Sequence, residues 1–297
     1  MEKVCQNCPR ACKADRLQGE QGFCGAPHLF SVARASLHMW EEPSVSGTKG
    51  SGTIFFTGCN LRCVFCQNRE ISRGGKENLL TDEELSAVML RLRDAGAHNI
   101  NLVTPTPYAH RLADLLPRVK PLLGIPIVYN CGGYESVEAL RKLEGLVDIY
   151  LPDFKYLSSD VAEAFSSAPD YLPVATAALK EMVRQTGAPQ LSKNGLLEKG
   201  TIVRHLVLPG HRGDSLAVLR HLAEEFGTKS FLLSLMSQYT PAFASDCPHR
   251  ELHRRVTTFE YNAVLEEALK LGFEGYLQSR TSATSDFTPD FSERSFL

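Results

Sequence analysis

The alternation of apolar strands with amphipathic helices after residue 50 limits the fold of this 297-residue chain most strongly. Short runs rich in β-branched and aromatic residues are separated by longer segments with helical periodicity. The predicted strands are residues 53–57, 99–104, 125–130, 147–154, 202–208, 231–236 and 275–278. Because nearly every position in these runs is apolar, they indicate a parallel sheet that is covered on both faces. The predicted fold class is therefore α/β.

Two of the intervening helices have clear start and stop signals. Thr81-Asp-Glu-Glu84 is a capping box, and the helix that follows it is predicted to end near Gly96. Thr257-Thr-Phe-Glu260 is a second capping box, followed by a helix that is predicted to end at Gly272. The pattern alone allows an open doubly wound sheet or a barrel. In both architectures ligands bind at the carboxyl ends of the strands, so a site is expected there.

The composition excludes several classes of protein. A formal net charge of −2 provides no field for nucleic acid or for an anionic membrane, so neither is an expected partner. No apolar run approaches the roughly 20 residues of a membrane span, and the first residues show no signal-peptide pattern. The nine cysteines are concentrated towards the amino end, which fits metal binding in a reducing cytoplasm better than disulfides. The predicted location is cytoplasmic.

Three cysteines follow the first of these strands, with the spacing Cys59-x3-Cys63-x2-Cys66. Thiolates at this spacing can ligate three irons of a [4Fe–4S] cluster, which ordinarily has four cysteine ligands. Structural zinc is the alternative, but it needs four closed ligands. Since no fourth cysteine follows at short range, the triad predicts a cluster in which one iron is open to another ligand.

Four further cysteines lie upstream, with the spacing Cys5-x2-Cys8-x3-Cys12-x11-Cys24. They predict a closed metal site, either a second [4Fe–4S] cluster or zinc, with an unmetallated segment as the third alternative. A metal would stabilise a segment too short to build its own core. The predicted domain organisation is a Cys-rich metal-binding extension, the main α/β domain and a polar C-terminal tail, at residues 1–50, 51–280 and 281–297.

The sequence around the triad resembles a known family. Residues 52–68, which read Gly-Thr-Ile-Phe-Phe-Thr-Gly-Cys-Asn-Leu-Arg-Cys-Val-Phe-Cys-Gln-Asn, are similar to radical S-adenosylmethionine (radical SAM) enzymes. More narrowly, they are similar to homologues of the pyruvate formate-lyase activating enzyme, which are activase-like proteins for glycyl radical enzymes. The resemblance covers nearly the whole chain and extends through residues 101–106, 148–155, 204–210 and 237–241.

This resemblance implies a partial, open (β/α)6-type TIM barrel, a fold to which the predicted strands also correspond. It implies that SAM completes the open corner of the cluster and that an electron, from a donor such as flavodoxin or ferredoxin, releases a 5′-deoxyadenosyl radical from it. The radical would then remove hydrogen from a substrate carbon, for which a glycine of a partner glycyl radical enzyme is one candidate. Modification of a peptide or a small molecule, and a non-catalytic metal-binding regulatory protein, are the alternatives.

The resemblance and the strand-end rule together predict the residues that contact the cofactor. Phe65 would pack near the adenine or shield the cluster. Thr104 lies where family members commonly have Gly-Gly-Glu, so it and nearby carbonyls would take the amino group of SAM, unless this stretch is only a turn that ends the strand. Asn130 ends the third predicted strand and would approach SAM.

Asp153 and Lys155 end the fourth predicted strand and would bind the SAM carboxylate or an associated cation, unless they form only a surface ion pair. Arg204 is a charge inside an apolar strand, and such a charge needs a carboxylate partner, either that of SAM or a protein acid. Gln238 is a weaker candidate for the ribose or adenine. His205 should face the opposite side of the strand from Arg204.

Overall fold

One mixed β-sheet organises the residues that the computed structural model describes, which are 4–74, 78–278, Phe291 and Phe296. The strands are β1 (Phe30–His38), β2 (Ser51–Phe56), β3 (Asn78–Leu80), β4 (Ile100–Val103), β5 (Ile127–Cys131), β6 (Ile149–Pro152), β7 (Gln190–Leu191), β8 (Leu197–Leu206), β9 (Leu232–Met236) and β10 (Gly275–Leu277). Each strand predicted from the sequence is present, with ends shifted by a few residues. The α/β prediction is confirmed.

The strand order of the sheet is β10-β9-β8-β6-β5-β4-β2-β1-β3, with β7 paired to β8. The strands from β2 to β10 along this path are all parallel to their neighbours. In contrast, β1 is antiparallel to both β2 and β3, and β7 is antiparallel to β8. Because the described sheet ends at β10 on one side and β3 on the other, it is open, as a partial barrel requires.

The helices that cover the outer face of the sheet or join its strands are α1 (Pro43–Ser46), α2 (Arg69–Ser72), α3 (Asp82–Asp94), α4 (Ala109–Leu123), α5 (Val137–Lys142), α6 (Ser159–Ser166), α7 (Tyr171–Thr186), α8 (Arg212–Phe226) and α9 (Thr258–Leu271). Both predicted capping boxes are formed, by Thr81 with Glu84 at the start of α3 and by Thr257 with Glu260 at the start of α9. None of the described helices is long and apolar enough to cross a membrane.

Strand β1 was not predicted from the sequence, and it lies inside the range assigned to the N-terminal extension. This strand forms a ladder with β2 from Val32 opposite Phe56 to His38 opposite Ser51. It was missed because small and polar residues fill most of its positions, and Val32 is its one β-branched residue. The main sheet therefore begins before the predicted boundary at residue 50.

Strand alternation sorts the side chains of β8 between the two faces of the sheet. Ile202 packs into a small apolar cluster on the inner face, and Arg204 lies two residues further along the same face. Val203 packs on the outer face against the helices, where His205 is also buried. The Nδ1 atom of His205 lies 2.8 Å from the carbonyl oxygen of Phe154. The structure thus separates His205 from Arg204, as predicted.

The predicted C-terminal tail at residues 281–297 lies outside the described residues, apart from Phe291 and Phe296. The ring of Phe291 packs at 5.5 Å from that of Phe55, and Arg91 donates a hydrogen bond of 2.9 Å to the carbonyl of Phe296. The interpretation of the segment as a tail stays a prediction.

Candidate functional site

The three cysteines of the triad line one cavity at the carboxyl ends of the parallel strands. Every residue predicted to contact the cofactor lines the same cavity; these residues are Phe65, Thr104, Asn130, Asp153, Lys155, Arg204 and Gln238. They lie near the carboxyl ends of β5 and β8 or in the segments that follow β2, β4, β6 and β9, so they are far apart in the chain. The parallel topology brings them together, although the role of each one stays a prediction.

The loop that carries the triad is held in place by backbone contacts. Gly58 has a φ of +80°, and a side chain there would approach the carbonyl oxygen of Cys24 to 2.8 Å, so glycine suits this position. The amide of Val64 donates to the carbonyl of Phe165 (2.9 Å), and the amide of Arg62 donates to the carbonyl of Ser166 (3.3 Å). The end of α6 thus fixes the middle of the loop.

The triad cysteines lie in surroundings where their ionised thiols need a positive charge beside them, as ligands of a metal have. Burial, together with repulsion from Cys63, raises the pKa of Cys59 well above its usual value and that of Cys66 to about 11. Ionising Cys59 and Cys66 here would therefore be costly without a compensating positive charge. Iron bound by these cysteines would supply that charge, and metal binding takes the deprotonated thiol.

An ionic network lies beside the triad at the ends of β6 and β8. The carboxylate of Asp153 pairs with the Lys155 ammonium at 2.5 Å and with the Arg204 Nε at 2.9 Å. Burial alone would raise the pKa of Asp153, but the two cations hold it below its usual range. Burial would lower the pKa of Lys155, and the Asp153 carboxylate outweighs this effect and raises it. All three groups are therefore charged at neutral pH.

The structure pairs Arg204 with protein groups, which is one of the two alternatives that the sequence left open. Besides Asp153, its guanidinium donates to the Asn130 side-chain oxygen at 2.6 Å and lies 3.5 Å from the Glu41 carboxylate. The protein-acid alternative is therefore formed, while a contact of Arg204 with SAM stays a prediction. Its contacts position Asn130 and Asp153.

Glu41 is a site residue that sequence reasoning missed. It follows β1, and its carboxylate accepts hydrogen bonds from Asn101 (3.0 Å) and Asn130 (3.3 Å). Burial raises its pKa, while Arg204 opposes the rise. Arg204 was the signal for an acid, because a buried guanidinium requires one. Glu41 was a candidate for this acid, since it belongs to an acidic pair just before Pro43.

Thr104 adopts an unusual backbone conformation at the end of β4. Its φ is +58°, a region that β-branched residues rarely occupy, and its amide donates to the Asn130 carbonyl at 2.8 Å. Such strain persists where the surrounding structure holds it, often at functional sites. The conformation supports a role for this strand end beyond a simple turn.

Two glycines after β5 allow the strand ends to approach each other. At Gly133, with φ of +80°, a side chain would overlap the carbonyl oxygen of Asp153. At Gly132, a side chain would approach Leu61 of the cysteine loop to 2.8 Å. The glycine pair therefore lets β5, β6 and the cysteine loop close around the cavity.

Phe65 and Gln238 lie on the cavity wall contributed by the regions after β2 and β9. The Phe65 ring packs edge-to-face with Phe165 at 6.3 Å and with Tyr239 at 6.1 Å. The side-chain oxygen of Gln238 accepts a hydrogen bond of 2.9 Å from Gln278. These contacts fix the Phe65 ring on the cavity wall, and both of its predicted roles, packing near the adenine and shielding the cluster, stay predictions.

The upstream cysteines lie close to one another and near the triad loop. Burial raises the pKa of Cys8 to about 12, and repulsion from Cys24 and Cys5 contributes. Arg10 donates a hydrogen bond of 2.9 Å to the Asn60 carbonyl in the triad loop. Across residues 4–74 and 78–278, no three Cys, His, Asp or Glu side chains are grouped as ligands of one metal ion, so a metal at the upstream set stays a prediction.

A larger cavity of about 610 Å³ lies between the N-terminal segment and α4. Its wall includes Cys5, Arg16 and Arg111 but none of the triad. We assign the chemistry to the smaller cavity, because the three cysteines and the strand ends meet there.

Comparison with known proteins agrees with this geometry. The family model described as the radical SAM superfamily matches residues 53–222, which is more than half of the chain. The uncharacterized protein MJ0674 of Methanocaldococcus jannaschii is 30% identical over an alignment of 285 residues that covers 92% of this chain and 76% of that protein.

Two solved structures are similar at the level of the fold. A radical SAM methyltransferase from Sphaerobacter thermophilus has 16% identity and a TM-score of 0.50, and the match covers 77% of this chain and 66% of that one. SuiB from Streptococcus suis, bound to S-adenosylmethionine, has 11% identity and a TM-score of 0.50, with 74% and 48% covered. The chain thus spans about half the length of SuiB. This chain belongs to the radical SAM superfamily and is an enzyme that uses a [4Fe–4S] cluster and S-adenosylmethionine.

Proposed function

We propose that Cys59, Cys63 and Cys66 hold the [4Fe–4S] cluster, that SAM binds the remaining iron, and that the enzyme cleaves SAM reductively to remove hydrogen from a substrate carbon. The observation that carries this proposal is the convergence of the triad and the strand-end polar residues on one cavity. When bound, the reduced cluster supplies the electron that breaks a sulfur–carbon bond of SAM and releases the 5′-deoxyadenosyl radical.

The residues of the chain bind and orient SAM beside the cluster. The Lys155 ammonium suits the SAM carboxylate, and the side chains of Asp153 and Asn130 offer oxygens for its amino group. Thr104 and its neighbouring carbonyls border the same space. Arg204 acts through Asp153 and Asn130, which it holds in position. Phe65 and Gln238 form the wall on the side where the adenosyl group would lie, and they exclude water from it.

We propose that the substrate is a glycine of a partner glycyl radical enzyme. The similarity of residues 52–68 to activating-enzyme homologues supports this assignment. The 5′-deoxyadenosyl radical would take one hydrogen atom from the glycine Cα, which would leave a glycyl radical in the partner and 5′-deoxyadenosine as the product. Action on a peptide or a small molecule is the competing outcome.

The upstream cysteines are proposed to form a second metal site. Cys5, Cys8, Cys12 and Cys24 offer four soft ligands, which suit a closed [4Fe–4S] cluster or zinc. We propose that they define an N-terminal metal-binding module. The main domain that follows it would end at residue 280, and residues 281–297 would form a tail. An electron donor such as flavodoxin or ferredoxin would supply electrons to the triad cluster, and the proposed location is a reducing cytoplasm.

Anaerobic reconstitution tests the reaction. With dithionite and SAM, the loaded protein should form 5′-deoxyadenosine and methionine, and Cys63→Ala should abolish both products. Cys247→Ala is the control, because this cysteine belongs to neither set. A fully loaded cluster that leaves SAM intact would instead favour the non-catalytic regulatory alternative.

The substrate needs a separate test. A glycyl radical enzyme encoded beside this gene would be the partner of choice, and incubation with the loaded enzyme and SAM should give the EPR doublet of a glycyl radical. If 5′-deoxyadenosine forms while the partner stays diamagnetic, the activase assignment is wrong and the SAM chemistry stands.

A further inference from the structure

Two buried hydroxyl groups, from residues that do not line the cavity, lie beside Cys63. The Oγ of Ser166 donates a hydrogen bond of 3.0 Å to the Sγ of Cys63, and the hydroxyl of Tyr156 lies 2.7 Å from the same Oγ. The exposed fraction is 0% for Ser166 and 1% for Tyr156. Nothing in the sequence analysis pointed to either residue.

The two hydroxyl groups form one directed chain when Cys63 is a deprotonated cluster ligand, because a thiolate can only accept hydrogen bonds. Each hydroxyl carries one proton and can also accept hydrogen bonds. Since the Ser166 proton is directed at the sulfur of Cys63, its oxygen accepts the proton of Tyr156. The chain therefore runs from Tyr156 through Ser166 to Cys63, and the first bond polarises the second.

The backbone holds this arrangement in register. Ser166 is the last residue of α6, and its carbonyl accepts the Arg62 amide, while the preceding carbonyl accepts the Val64 amide. These two amides flank Cys63 in the loop. The Tyr156 ring packs edge-to-face against Tyr171 at 5.4 Å. Backbone contacts thus fix Ser166 and ring packing fixes Tyr156, independently of the hydrogen bonds between the hydroxyl groups and Cys63.

We infer that Ser166, oriented by Tyr156, stabilises negative charge on the Cys63 sulfur and so raises the reduction potential of the cluster. This inference rests on the proposed role of Cys63 as a cluster ligand. Reduction adds an electron that is shared with the ligand sulfurs, so a donor to sulfur stabilises the reduced form more than the oxidised form. Hydrogen bonds to sulfur are among the features that set cluster potentials. Ser166 is accordingly a positioning residue, because it would affect the reduction potential of the cluster only through the sulfur of Cys63.

The test is an EPR-monitored redox titration without SAM, so that turnover plays no part. Ser166→Ala should lower the midpoint potential of the triad cluster. At the wild-type midpoint its reduced-to-oxidised ratio should fall on the order of tenfold, which is 59 mV for a one-electron couple. Tyr156→Phe should shift the potential in the same direction by less. Ser215→Ala, another buried serine, is the matched control and should leave the potential unchanged.

An unshifted potential in Ser166→Ala with full iron content would overturn the inference, as would an equal shift in Ser215→Ala. If Ser166→Ala does not retain the cluster, Tyr156→Phe decides, because it leaves the serine in place. The triad signal is identified by its loss in Cys63→Ala. Absence of that signal in the wild type would defeat the proposed function itself, whereas a normal signal with unshifted variants defeats only the role of Ser166.

Discussion

At the scale of single residues, the strained backbone at Thr104 gives a direct prediction. Its φ of +58° carries a strain of about 1–3 kcal/mol, which glycine would not carry. Thr104→Gly should therefore raise the free energy of unfolding by about 1 kcal/mol, after the entropic cost of glycine is subtracted. Urea unfolding of the apoprotein measures this free energy.

Thr53→Gly, in the extended β2, is the control and should lower the free energy of unfolding. A similar loss in Thr104→Gly would show that glycine does not relieve the strain.

Glu135 provides a prediction about pH. It is buried, and it accepts hydrogen bonds from Thr106 at 2.7 Å and Tyr129 at 3.0 Å. Burial raises its pKa to about 7, although these hydrogen bonds lower it. Because the folded state holds this proton more tightly than the unfolded state, stability should fall as pH rises from about 4.3 to about 7.

Glu135→Gln should remove this part of the pH dependence. The gap between wild-type and variant free energies of unfolding should change by up to about 3 kcal/mol across that range, in favour of the variant at higher pH. Urea unfolding at several pH values between 5 and 8 measures this gap. A constant gap would show that Glu135 has an ordinary pKa.

At the scale of elements, the junction between β5 and β6 depends on the absence of a side chain at Gly133. Gly133→Ala would force the Asp153 carbonyl away and separate two strand ends that border the cavity. Gly145→Ala is a matched control, because Gly145 has a similar φ of +76° but no atom within 4 Å of the added methyl.

The control should cost about 1 kcal/mol from backbone strain alone, whereas Gly133→Ala should cost about 1–3 kcal/mol more from overpacking. Thermal unfolding measures both, and SAM binding should weaken only in Gly133→Ala. Equal losses in the two variants would show that the close approach of β5 and β6 is not needed.

The elements also show how much could be predicted from the sequence. The parallel strands and the residues at their ends were predictable, because topology alone brings the carboxyl ends of such strands together. β1 was not, since its small residues become strand-like only through pairing with β2. Arg204 indicated that some acid would be its partner but not that Glu41 would be the one, and Ser166 had no sequence signal at all. Their roles depend on which distant segment packs beside them, and no local pattern records that.

At the scale of the whole molecule, the two cysteine sets should behave as separate metal sites. Cys8→Ala should remove the metal of the upstream site and leave that of the triad. With a second cluster, iron would fall from about eight to about four per chain, whereas with zinc only the zinc would be lost. Metal analysis of Cys8→Ala, with Cys247→Ala as the control, measures this loss. Loss of all metal in Cys8→Ala would show that the sites are not independent.

The ladder between β1 and β2 has a consequence for how the enzyme matures. β1 follows the upstream cysteines, and β2 leads into the triad, so the ladder connects the two cysteine-bearing segments. Backbone hydrogen bonds and apolar side chains make this connection, and neither requires a metal. The sheet that joins the two cysteine-bearing segments should therefore form first and act as a prepared acceptor, to which iron and sulfide are delivered afterwards.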